Sequence, residues 1–101
     1  MNDDRLTDLL AARVLGWKPA PDRFLKPDRG WTPRWQFAPF KRIEDAFLLL
    51  SRAGDYTLKY RAGIFTVQVR FGKRAGTASG DEKARTITLA VAEALGLEIP
   101  R

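Results

Sequence analysis

A chain of 101 residues carrying a formal charge of +6, with neither cysteine nor histidine, has no disulfide, no thiolate zinc site, no thiol nucleophile and none of the commonest general base. Hydrophobic residues make up 45% of it, enough to bury the core of a single small domain, 1–101, and too many for a disordered tail. The positive balance favours an anionic partner and also serves solubility. The basic residues are scattered rather than run together, which argues against a polybasic tail for membrane or nucleic acid. The opening MNDDRLTDLL lacks the profile of a signal peptide, and no apolar run reaches the ~20 residues that span a bilayer. A cytoplasmic protein with no membrane partner is the expectation.

In chain order, residues 1–17 read as a helix from Asp3 to Trp17. Leu6, Leu9, Leu10, Val14 and Trp17 recur at helical spacing, Asn2, Asp3 and Asp4 offer caps, and Gly16 and Pro19 supply the stop. Five of the six prolines fall in 18–39, mixed with Phe24, Trp31, Trp35 and Phe37. Such density forbids a long helix, and the aromatics argue for an ordered, wrapping loop, with an edge strand at Arg34 to Phe37. Residues 40–54 read as a second helix, lined by Phe40, Ile43, Ala46, Phe47 and Leu50 and ended by Gly54. Leu48 and Leu49 widen its apolar surface beyond one stripe, which suits a homo-oligomer contact or burial on two sides.

Residues 55–79 carry the clearest signal. Tyr56, Leu58 and Tyr60 alternate with polar residues, as do Phe65, Val67, Val69 and Phe71, around Ala62-Gly63; this predicts a β-hairpin, with Thr77 to Ser79 as a brief third strand. In 80–101, a helix from Asp81 to Leu95 is predicted, with Ser79 and Glu82 at capping-box spacing. The fold class is α+β: a small antiparallel sheet, hairpin or three-stranded meander, packed with three helices in a sandwich.

Val14-Leu15-Gly16-Trp17, Phe37-Ala38-Pro39 followed by Ile43, Ala46 and Phe47, and Ile87 with Ala90 in the last helix together resemble the phage ABA-sandwich domain family, in which Trp often stands where this chain has Phe47. The resemblance implies a sandwich fold and a phage or prophage origin, hence a host-cell cytoplasm, and brings no catalytic signature. The C-terminal half is similar in element order to a double-stranded RNA-binding domain, with Gly76 to Arg85 at that family's turn into a basic helix. There the family grips phosphate; here Asp81 and Glu82 stand at the helix start, where two acids repel it.

Two surfaces are candidates for binding. Lys26, Arg29, Trp31, Arg34 and Trp35 combine indole faces that stack on bases with cations that grip phosphate; the plain alternative is that the tryptophans plug the sandwich edge while the arginines are solvated. The polar hairpin face offers Lys59, Arg61, Gln68 and Arg70, with Lys73 and Arg74 in the next turn, a nucleic-acid surface or an ordinary solvent face. Carboxylates are the only plausible catalytic engine, and they sit mostly near helix starts, where capping explains them. No phosphate-cradling glycine loop is present. The leading reading is therefore a non-enzymatic phage-type accessory protein, without cofactor or metal, that binds an anionic nucleotide-like ligand and so sequesters a host defence signal. A dsRNA-type nucleic-acid module and a protein-interaction module inhibiting a host protein are the alternatives.

Overall fold

Leu6, Leu10, Ala11 and Leu15 are each at most 4% exposed and form the first buried stripe of the chain. They do not follow the expected run through Val14, because the helix changes pitch. The computed structural model, which describes residues 3–97, has an α-helix α1 at Asp3–Leu10 and then a π-helical turn at Ala11–Leu15. A π turn spends one more residue per turn than an α turn, so Leu15 takes the buried place and Val14 is half-buried. Gly16, at φ 72°, closes the turn through its N–H to the Ala11 carbonyl. The cap expected from Asn2 and the tail beyond Leu97 lie outside the described residues.

The proline-rich segment is ordered, as expected, but as a small sheet: β1 (Lys18–Pro19), β2 (Arg23–Leu25) and β3 (Trp31–Pro33), antiparallel in that order. Its prolines cannot donate to a ladder and keep the strands short. The edge strand expected at Arg34 to Phe37 is instead a 3₁₀ turn, Arg34–Gln36. Pro33 ends β3, and the Phe37 N–H turns back to the Arg34 carbonyl at 3.2 Å. Beneath the sheet, Trp17, Phe24 and Phe37 form an aromatic trio with ring centroids 5.0 to 6.0 Å apart.

The second helix is shorter than predicted: α2 spans Ile43–Leu50. Phe40 lies before it, in a turn where the Lys41 and Arg42 amides both reach the Ala38 carbonyl and Asp45 accepts the Ala38 N–H at 2.9 Å. Ser51 ends the helix, and Gly54 lies in the bend just before the strand that starts at Asp55, its N–H bonding the Arg70 carbonyl at 2.9 Å. Leu49 is fully buried and Leu48 half-buried, so Leu49 lies in the core rather than at an oligomer contact.

The meander consists of β4 (Asp55–Arg61), β5 (Ile64–Phe71) and β6 (Arg74–Gly80). Ala62 (φ 53°) and Gly63 (φ 83°) supply the paired left-handed residues of a type I′ hairpin turn. The third strand is as long as the first, and Ser79 lies within it, 3.3 Å from the Thr66 hydroxyl. It is thus a strand residue and not part of a capping box. The last helix, α3 (Lys83–Ala94), starts after Glu82, whose side chain makes no cap. The architecture is the expected α+β class: α3 lies on β6 and β5, and α2 packs on α3. Val67 and Val69 meet Ile87, Ala90 and Val91 in the core. Gly76 lets β6 approach α3 so closely that a Cβ there would fall 2.4 Å from the Ala90 carbonyl and the Ala94 amide.

Candidate functional site

Three residues of the proline-rich segment shape its surface: Phe24, Arg34 and Trp35. Phe24 points inward from β2 and is 1% exposed. Across it lies the Arg34 guanidinium, 4.9 Å from the ring centroid, held by three donated hydrogen bonds: two to the Asp8 carboxylate at 2.6 and 3.0 Å and one to the Ala20 carbonyl at 2.6 Å. These bonds to Asp8 hold Arg34 above its ordinary pKa, against the opposing effect of burial. Arg34 therefore ties the 3₁₀ turn to α1 and to the β1–β2 loop, and most of its donors are already engaged. Its neighbour Trp35 takes the opposite course. The turn presents the indole to solvent, 73% exposed.

Between α1, this turn and the Phe37 to Lys41 segment lies a cleft of about 510 Å³, within the ordinary range for a small-ligand site. Trp35, Phe37 and Phe40 give it aromatic walls, Thr7 and Asp4 give it polar groups on α1, and Lys41 gives it a cation. The Arg85 guanidinium sits 5.2 Å over the Phe40 ring. The lining thus combines an indole face, of the kind that stacks on flat rings, with one ammonium and one carboxylate.

The five residues singled out in this segment do not converge on one place. Arg34 and Trp35 line the cleft together. Lys26 lines a different concavity, of about 480 Å³, with its ammonium 5.2 Å over the Trp17 ring. Arg29 has a left-handed φ of 73° in the β2–β3 turn, and Trp31 lies on the outer face of β3, 54% exposed, with the Arg23 guanidinium 4.6 Å over it. Trp17, Phe24 and Phe37 pack ring on ring, whereas Trp31 and Trp35 are exposed and plug nothing. Lys41, Phe40 and Thr7 were not singled out from sequence; the run Phe37-Ala38-Pro39-Phe40-Lys41 was a usable signal, since it crowds aromatics and a cation around a proline.

The hairpin face is a flatter surface. Lys59 lies opposite Thr66 and Gln68 opposite Thr57, so these two are diagonal neighbours. Arg61 stands at the hairpin turn and Arg70 at the other end, opposite Asp55, roughly 20 Å apart at the rise of an extended strand. Lys73 occupies the β5–β6 turn. Arg74 bends away to donate to the Leu95 carbonyl at 2.7 Å, where its charge meets the C-terminal end of α3. Lys83, at the start of α3, lies 5.5 Å over Phe47 and 6.0 Å over Phe65.

No family model and no curated protein matches the chain in sequence. In structure it is similar to a phage protein from Bacillus cereus ATCC 14579, with a TM-score of 0.73 over 99% of this chain and 93% of that one, at 15% sequence identity. At that identity the likeness establishes a shared fold, one that a phage protein carries. No helix among the described residues is long and apolar enough to cross a membrane.

Proposed function

We propose that this chain is a phage-type accessory protein that binds a small, anionic, nucleotide-like ligand in the cleft beside Trp35 and holds it without chemistry. The observation that carries the reading is the indole of Trp35, which stands 73% exposed at the cleft on a turn clamped by the neighbouring Arg34. An exposed tryptophan on a rigid support is a stacking platform, because little order is left to impose when a base lands on it. Lys41 supplies the charge for a phosphate, since the Arg34 guanidinium is already paired with Asp8. The cleft also suits binding over turnover: Asp4 is its lining carboxylate, and the nearby Asp8 is committed to Arg34. On this reading the protein acts by sequestration, a role for which holding the ligand without turning it over is sufficient.

Isothermal titration and intrinsic tryptophan fluorescence with AMP and with a cyclic dinucleotide test this. Binding to the wild type, loss in Trp35→Ala, weakening in Lys41→Ala and retention in Trp31→Ala are expected, with the nucleotide recovered intact by chromatography. Trp35 is exposed enough for its removal to leave the fold alone, which circular dichroism verifies. The absence of nucleotide binding in the wild type, or equal binding by Trp35→Ala, would remove the proposal.

A further inference from the structure

We propose that β4 is a self-association edge: it pairs with the β4 of a second copy of this chain, antiparallel and two-fold symmetric about Leu58, joining two three-stranded sheets into one. Among the described residues β4 is bonded on one side only, to β5.

The phase of its backbone follows from the hairpin turn. A two-residue I′ loop is closed by a hydrogen-bonded pair, here Arg61↔Ile64. Counting back by twos, Lys59, Thr57 and Asp55 direct their N–H and C=O groups to β5, and Tyr60, Leu58 and Tyr56 direct theirs outward. A two-fold axis at Leu58 places Leu58 opposite its copy and each Tyr56 opposite a Tyr60. Every outward group then meets a partner, about six bonds in all, since each such pair exchanges two.

The side chains agree with the same register. Asp55 of each copy falls opposite Arg61 of the other, at a non-hydrogen-bonded position where side chains come closest. Among the described residues neither has an ion-pair partner within its own chain. A two-fold centred on Tyr60 would instead set Lys59 against Arg61 and leave half the strand unpaired, and a one-residue slip would put the tyrosines on the wrong face. On the helix-bearing face, α3 packs mainly on β5 and β6, and Tyr56 and Tyr60 of β4 are 46% and 63% exposed. Pairing brings both tyrosines of each copy around the Leu58 pair, extending the Tyr60–Phe65 contact, whose ring centroids are 4.7 Å apart. Natural edge strands are commonly blunted by proline or by charges on the buried face; β4 has neither. The other edge, β6, lacks such self-complementarity: a two-fold about Thr77 would set Arg74 against Gly80.

Sedimentation velocity of the full chain, from micromolar to millimolar concentration, is expected to show a monomer–dimer equilibrium. Tyr60→Pro removes an outward N–H and spares the β5 ladder; it is expected to stay monomeric throughout with wild-type circular dichroism. Arg61→Asp faces Asp55 with a like charge at two symmetric positions and should weaken the dimer about tenfold, and Asp55→Arg added to it should restore wild-type association. A wild type that is monomeric at every concentration overturns the proposal, as does a folded Tyr60→Pro that still dimerises. The charge swap keeps the test decisive if the proline variant does not fold: Arg61→Asp with undiminished association, or no rescue by the double variant, also overturns it.

Discussion

The sheet of β1–β3 and the sheet of β4–β6 both have three antiparallel strands, yet the strands of the first are two or three residues long and those of the second seven or eight. The longer sheet is secured by its ladder: seven consecutive pairs join β4 to β5 and seven join β5 to β6, and α3 lies against it at backbone distance over Gly76. The shorter one has five paired positions in all, too few to stand by themselves. It is secured by side chains instead, the Trp17–Phe24–Phe37 trio below and the Arg34–Asp8 clamp at one end. Loss of one residue should therefore act over the whole molecule in the second region and locally in the first.

The strongest attack on this contrast is Gly76→Val. Its Cβ would have to share space with the Ala90 carbonyl and the Ala94 amide at 2.4 Å, backbone atoms that yield only if α3 lifts from β6. Overpacking of this kind is expected to cost about 3 kcal/mol, read as a fall in the urea midpoint, with faster hydrogen exchange in β5, β6 and α3 together. Next comes Arg34→Ala. It leaves Asp8 without its partner, and because both side chains are about a third exposed (31% and 33%), solvent absorbs part of the loss; about 1–2 kcal/mol is expected. Hydrogen exchange should rise in 18–35 while β4–β6 stays protected. Uniform acceleration through both sheets would mean that the two regions unfold as one. Arg34→Lys should recover little of the effect, because an ammonium cannot reproduce the forked bond to Asp8 together with the bond to Ala20.

The same contrast explains what could be read before the fold was known. Alternation at Tyr56-Leu58-Tyr60 and Phe65-Val67-Val69-Phe71 marks both strands and their register, because a period of two and a two-residue turn leave one solution. The helical stripes of α2 and α3 were legible for a similar reason. The π turn was not, since an extra residue at Ala11–Leu15 leaves the local pattern apolar either way and moves only the identity of the buried residue. Nor was the small sheet, whose strands are too short to show a period and whose strength comes from partners far apart in the chain: Asp8 and Arg34 stand 26 residues apart. The candidate cleft was half legible for this reason. Trp35 and Arg34 advertised themselves as an aromatic and a cation side by side, but only the fold separates their duties, one clamped and one presented. It also separates Lys26, Arg29 and Trp31 from them.

Acid provides the finest probe of the difference between the sheets. Asp22 accepts hydrogen bonds from Arg23 at 2.9 and 3.2 Å, and this bonding lowers its pKa below the ordinary 3.8, with burial opposing only in part. A carboxylate depressed in the folded state contributes stability that is complete above its ordinary value and is lost as pH falls through the folded one. Among the described residues, no ion pair braces β4–β6, so acidification below pH 3.8 should loosen β1–β3 first. The effect is small, because both partners lie at the surface. Asp22→Asn should leave stability near neutral pH almost unchanged and remove part of the acid dependence of hydrogen exchange in Ala20 to Leu25. If wild type and variant respond to acid alike, the ion pair adds nothing to the small sheet, and its order rests on the aromatic trio and the Arg34 clamp.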